Sequence, residues 1–84
     1  MHSHGLRPEG VYTMPDGREF IAGAGYGGVY SLYTPEAWNN YGEPEYRVRA
    51  DGRVYRNNVA TPLRVEHLTD TGARARFWKS HRLL

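Results

Sequence analysis

Two Asp-Gly turns constrain the fold of this chain more than any other feature of its sequence. They lie in Pro15-Asp16-Gly17-Arg18 and Ala50-Asp51-Gly52-Arg53, each between two short β-prone runs. This pattern predicts tight β-hairpins, because glycine adopts the positive φ that the turn requires. Pro15 favours a type I turn with a glycine bulge in the first hairpin, whereas the second fits that turn or a two-residue type I′ turn. The flanking runs are residues 11–14 and 19–22 for the first hairpin, and 46–49 and 54–56 for the second.

A third turn pattern lies near the C-terminus. Asp70-Thr71-Gly72 separates residues 63–68 from residues 73–78 and predicts a third hairpin. Residues 63–68 fit either a strand, since Leu63, Val65 and His67 alternate, or a helical turn begun at Pro62. The sequence leaves that choice open.

Residues 34–36 have the composition of a helix N-terminus. Thr34 is a good N-cap, Pro35 suits the first helical position, and Glu36 suits the positive end of the helix dipole. Gly42 is placed to end the helix as its C′ residue. We therefore expect one short helix near residues 35–41.

Together these elements predict an all-β fold: a small open barrel or strongly bent antiparallel sheet of about six strands, with three hairpins and one short helix. An 84-residue chain fits one domain, residues 1–84. SH3-like and OB-like barrels have this size, a comparison that carries no function. We expect a frayed N-terminus over residues 1–8 and a basic tail over residues 79–84.

Composition narrows the function classes. The chain has no cysteine, which excludes a disulfide scaffold and thiolate chemistry, and its histidines lack ligand spacing, so we expect no metal and no cofactor. No apolar run approaches the roughly 20 residues of a membrane span, which favours a cytoplasmic protein without a membrane partner. Residues 23–28 match G-x-G-x-x-G, but a strand-like run follows, so a loop is expected there. No catalytic set can be assembled, which favours a non-enzymatic role.

Aromatic residues provide the first functional hypothesis. The chain is 13% aromatic, with seven tyrosines, and these rings either form the core or line a half-exposed surface. A surface of this kind predicts a protein-interaction or accessory module with a protein partner or self-association. Its candidate residues are Tyr26, Trp38, Tyr41 and Trp78.

Basic residues provide the alternative hypothesis. Residues 1–42 hold two basic and four acidic residues, whereas residues 43–84 hold nine basic and five acidic ones. Arginines interleaved with aromatic rings can contact phosphates and stack on bases, which predicts single-stranded nucleic-acid binding by the C-terminal segment. A solvated last strand with a basic tail has the same composition. The candidate contacts are Arg74, Arg76, Phe77, Trp78, Lys79 and Arg82.

Overall fold

A computed structural model describes residues 6–24 and 26–75, and these residues form an all-β fold with one short α-helix. The strands are β1 (Gly10–Thr13), β2 (Glu19–Ala24), β3 (Tyr30–Tyr33), β4 (Tyr46–Val48), β5 (Arg53–Arg56), β6 (Val59–Arg64) and β7 (Thr69–Arg74). The helix α1 spans Pro35–Asn39, and two 3-10 helices span Tyr26–Gly28 and Val65–His67. The predicted fold class is confirmed, with seven strands rather than about six.

The seven strands form one antiparallel sheet in the order β6-β5-β4-β3-β2-β1-β7. Its edge strands β6 and β7 are consecutive in the chain, and only four residues lie between Arg64 and Thr69. The five Cα–Cα steps from Arg64 to Thr69 span at most about 18 Å, whereas the six strand spacings of a flat sheet cover about 29 Å. The sheet is therefore strongly bent, although it does not close into a barrel.

Both Asp-Gly turns have the predicted hairpin geometry. Gly17 and Gly52 have φ of 92° and 84°. In each turn the aspartate Oδ1 accepts a hydrogen bond of 2.9 Å from the backbone N–H two residues later. The glycine N–H bonds back to Met14 in the first turn and to Arg49 in the second, each at 2.8 Å. The second hairpin thus repeats the turn of the first, which the sequence had left open.

The predicted third hairpin is wrong, because Asp70-Thr71-Gly72 lies inside β7 and not between two strands. β7 pairs with β1 across an irregularity in register between Gly10 and Tyr12. Asp70 Oδ1 accepts the Gly72 N–H at 2.8 Å, and Gly72 has a φ of 84°. The hydrogen bond from an aspartate side chain to the N–H two residues later closes the turns of the two hairpins, but at residues 70–72 it forms part of a β-bulge.

A different hairpin joins β5 to β6. Its turn is Asn57-Asn58, and both residues have positive φ, 53° and 66°. Two consecutive residues with positive φ are typical of a type I′ turn, and asparagine tolerates that conformation better than most residues. Residues 63–64 end β6, and residues 65–67 form a 3-10 helix. Residues 63–68 are thus part strand and part helical turn, although the helical turn begins after Arg64 and not at Pro62.

The helix begins as predicted and ends differently. Thr34 Oγ1 accepts the Ala37 N–H at 3.1 Å, and Pro35 occupies the first turn. The left-handed residue at the C-terminus is Tyr41, with a φ of 57°, and not Gly42. A Cβ on Gly42 would lie 3.3 Å from the Cα and Cβ of Ala37, so glycine is needed there for close packing.

The sheet buries apolar side chains on both faces. The inner face carries the main core, which residues of the second 3-10 helix and β6 also contact. Its buried residues are Leu6, Tyr12, Met14, Phe20, Ala22, Leu32, Tyr46, Val48 and Val54. The outer face carries a smaller cluster of Ile21, Trp38 and Ala75, with Val11 and Tyr33 packed against it.

Part of the expected frayed N-terminus belongs to the fold. Leu6 is buried in the main core, and the Arg7 guanidinium bonds to both carboxylate oxygens of Asp70. Residues 1–5 and the predicted basic tail at 79–84 lie outside the described residues.

Candidate functional site

The outer face of the sheet divides into a covered and an open half. Helix α1 follows β3 and places Trp38 over Ile21, so the cluster with Ala75 covers β1 to β3. On β4 and β5, side chains alternate, with Val48 and Val54 facing inward and Arg47 and Tyr55 facing outward. Helix α1 packs on β2 and β3, so the half of the face formed by β4 and β5 lies beside the helix.

Arginine and tyrosine define the open half, which we call the Arg-Tyr face: Arg47, Arg49, Arg53 and Tyr55. Arg47 and Tyr55 are cross-strand partners, and the Arg49 guanidinium carbon lies 4.1 Å from the centroid of the Tyr55 ring. Within residues 6–24 and 26–75, neither Arg47 nor Arg49 forms an ion pair with a carboxylate. Arg53 approaches Asp51 at 4.0 Å, with both side chains exposed. Two guanidinium groups are therefore available to an anionic ligand beside an aromatic ring.

A groove of about 310 Å³ runs along this face. It is lined by Glu43, Pro44, Glu45, Arg47, Arg49, Tyr55, Asn57 and Asn58. The Glu45 carboxylate lies 3.0 Å from Arg18 and 3.8 Å from Arg56, so its charge is balanced from outside the groove. The volume lies at the small end of the roughly 300–1,000 Å³ range of ligand pockets.

Of the four residues of the predicted aromatic surface, Trp38 is buried in the structure. Trp38 is only 5% exposed, and its indole N–H donates to the Ala75 carbonyl at 3.1 Å, so its placement on an exposed surface is wrong. The Tyr33 and Trp38 rings pack edge to face, with centroids 5.5 Å apart. Tyr41 is 53% exposed. Tyr26 begins the first 3-10 helix, and Trp78 lies outside the described residues.

Only one of the predicted nucleic-acid contacts lies in the described part of the chain. Arg74 is the exposed last residue of β7, and it has no carboxylate partner within residues 6–24 and 26–75. It belongs to the opposite edge of the strand order from the Arg-Tyr face. The other candidates, Arg76, Phe77, Trp78, Lys79 and Arg82, lie outside the described residues.

Shifted pKa values occur in ion pairs and turns outside the groove. The Arg7 guanidinium and the Gly72 N–H lower the pKa of Asp70, and the pKa of Arg7 is raised in turn. The Arg18 backbone N–H lowers the pKa of Asp16. Catalytic sites concentrate such shifts inside a cleft, so this distribution is typical of structural ion pairs.

The described part of the chain has neither a metal-binding cluster nor a membrane-spanning helix. No group of three or more His, Cys, Asp or Glu side chains there could hold a metal ion. No helix among those residues is long and apolar enough to cross a membrane.

Comparison with known proteins adds no relative. No protein-family model matches the chain, and no curated protein or solved structure is significantly similar to it. Inferences about function therefore depend on the groove and the face that carries it.

Sequence reasoning did not select the residues that line the groove. Apolar and charged residues alternate over residues 46–50, which is typical of a strand with one solvated face, but that alternation indicates no ligand. The usable signal was Asn57-Asn58, since two residues that tolerate positive φ, placed after a β-prone run, predict a further hairpin. That hairpin brings the Asn57-Asn58 turn beside Tyr55.

Proposed function

We propose that this chain is a non-enzymatic binding module that holds single-stranded nucleic acid on its Arg-Tyr face. The observation that carries the proposal is the Arg49 guanidinium over the Tyr55 ring, next to Arg47, with neither arginine paired to a described carboxylate. Protein-interaction modules usually present exposed apolar anchors, and only Tyr41 and Val59 are large exposed hydrophobics in the described part of the chain.

Geometry supports a strand-like ligand. Arg47 and Arg49 lie on one face two residues apart, which separates their Cα atoms by about 6.8 Å along an extended strand. A guanidinium fork can bind a phosphate through two parallel hydrogen bonds. A base can stack on the Arg49-Tyr55 pair, since both aromatic rings and guanidinium planes accept stacked bases.

The electrostatics support weak, salt-dependent binding. The formal net charge of the chain is only +2, so long-range attraction is small and contacts within the face must contribute most of the affinity. With two phosphates engaged, log K should fall with log salt at a slope of about −1.4 for a single strand. A rise from about 50 to 200 mM salt should then weaken binding about sevenfold.

The test is fluorescence anisotropy of a labelled single-stranded dodecamer of mixed sequence, titrated at both salt concentrations. Arg47→Ser and Arg49→Ser should each weaken binding and lower the salt slope by about 0.7. Tyr55→Leu should cost about 1–3 kcal/mol of binding free energy with little change in slope.

Arg74→Ser is the matched control, because it removes one exposed charge on the edge strand β7 that has no carboxylate partner within residues 6–24 and 26–75. Equal losses from Arg74→Ser and Arg47→Ser would mean that binding follows net charge and that the Arg-Tyr face is not a site. Absence of binding at 50 mM salt would overturn the proposal. Displacement of the oligonucleotide by polyglutamate at equal charge would overturn the proposal and assign the face to an acidic protein partner.

A further inference from the structure

The Glu43 carboxylate lines the groove together with the guanidinium groups of Arg47 and Arg49. Glu43 lines the groove and is exposed, and within residues 6–24 and 26–75 it makes no ion pair or side-chain hydrogen bond. Glu45 differs, because Arg18 and Arg56 balance its charge. A free carboxylate repels phosphate, so Glu43 weakens a purely electrostatic site unless the ligand donates a hydrogen bond to it.

The lining therefore offers two kinds of partner to one base. Arg47 and Arg49 are donors only, and an ionised carboxylate is an acceptor only. Guanine matches this arrangement: its O6 and N7 are neighbouring acceptors on one edge, and its N1–H and N2–H₂ are neighbouring donors on another. Adenine and cytosine each place an acceptor beside their amino group, and thymine places its N3–H between two carbonyl groups.

We propose that this groove is a subsite selective for guanine within a single strand, with Glu43 accepting hydrogen bonds from N1–H and N2–H₂. At a guanine, Arg47 donates to O6 and N7 in place of a phosphate, the commonest specific arginine contact to a base. The Arg49-Tyr55 pair provides the stacking surface, at 4.1 Å between the guanidinium carbon and the ring centroid. The groove volume of about 310 Å³ suits one nucleotide at a time.

This inference rests on the proposed function, and its test separates the two. The probes are labelled oligothymidylates of twelve nucleotides that carry at one central position dT, dG, deoxyinosine or 7-deaza-dG. Deoxyinosine lacks the N2 amino group, and 7-deaza-dG lacks the N7 acceptor. The dG probe should bind about tenfold more tightly than the all-dT probe, as expected for one good bidentate pair. Each analogue should lose a part of that gain.

Glu43→Gln assigns the contact. The variant removes the charged acceptor, so the ratio of the affinities for the dG and deoxyinosine probes should fall towards one. The loss of affinity from dG to 7-deaza-dG should remain. Glu36→Gln is the matched control, because it also removes an exposed carboxylate, on α1 and outside the groove. Its dG preference should equal that of the wild-type protein.

The outcomes are distinct. If all four probes bind equally well, the guanine inference is overturned and the proposed function stands. If none binds at low salt, both are overturned. If Glu36→Gln changes the dG preference as much as Glu43→Gln does, net charge explains the effect, and Glu43 does not contact the base.

Discussion

Trp38 is the residue whose substitution most directly tests the described packing. Its ring is buried between Ile21 and Tyr33, and its indole N–H donates to the Ala75 carbonyl at 3.1 Å. Trp38→Ala removes both the packing and the hydrogen bond and should cost about 3–5 kcal/mol. An 84-residue domain has a total stability of about 4–13 kcal/mol, so this variant approaches the limit of folding.

Trp38→Phe is therefore the more informative variant. It keeps an aromatic ring against Ile21 but leaves the buried Ala75 carbonyl without its donor, which should cost about 1–3 kcal/mol. For a domain this small, urea denaturation with a slope of about 1 kcal/mol per molar would move the midpoint down by about 1–3 M.

The measurement is urea unfolding followed by far-ultraviolet circular dichroism, because the substitution itself alters tryptophan fluorescence. Val59→Thr is the control: it changes a large residue that is 65% exposed while keeping a β-branched side chain, and it should alter stability by less than about 0.5 kcal/mol. Unchanged midpoints for both Trp38 variants would refute the buried cluster and return Trp38 to the predicted interaction surface.

Three further predictions concern the helix cap, the bulge and an ion pair. Thr34→Ala should cost about 1 kcal/mol in urea unfolding, because the Ala37 N–H loses its acceptor, whereas Thr34→Ser should not. Gly72→Val should cost at least about 1 kcal/mol, since a β-branched residue tolerates a φ of 84° poorly; equal midpoints would contradict the bulge. The pKa of Asp70 is lowered in the folded state. The ionised carboxylate therefore contributes fully to the free energy of unfolding above about pH 4, and this contribution is lost as the pH falls through the lowered pKa. Urea midpoints should therefore fall more steeply between about pH 5 and pH 2.5 for the wild-type protein than for Asp70→Asn, and parallel curves would contradict the role of Arg7.

Local chemistry made most of the fold predictable. The Asp-Gly turns at residues 16–17 and 51–52 and the Thr34 cap each depend on residues close in sequence, and each was identified correctly. Asp70-Thr71-Gly72 was misassigned because its Asx hydrogen bond suits a turn and a bulge equally well. Pairing of β7 with β1, about 60 residues away, decides between the two, and no local pattern reports that pairing.

The site was less predictable for a related reason. Trp38 was expected at the surface because the chain has many aromatic residues for a small core, but the second cluster on the outer face provides another place to bury a ring. The contact between Tyr55 and Arg49 depends on the register of β4 against β5. The sequence left two turn types open for this hairpin, and a change of register by one residue would place Tyr55 on the other face. The residues that line the groove can be read from the sequence, but the strand pairing that brings them together cannot.

The length of α1 determines how much of the outer face stays open. Residues under the helix should affect stability, whereas the exposed arginines beside it should affect mainly binding. A helix of five residues is about 7.5 Å long, and strands lie about 4.8 Å apart, so α1 covers the region near β2 and β3 and leaves β4 and β5 exposed. The double variant Arg47→Ser, Arg49→Ser removes only the Arg49–Tyr55 cation–π contact, worth about 0.5–1 kcal/mol. Its urea midpoint should therefore fall by at most about 1 M while its oligonucleotide affinity is lost. Trp38→Phe should show the reverse, with lower stability but unchanged affinity per folded molecule at a temperature where it remains folded. If the double variant keeps its affinity per folded molecule, the arginines do not contact the oligonucleotide, and the Arg-Tyr face is not the binding surface.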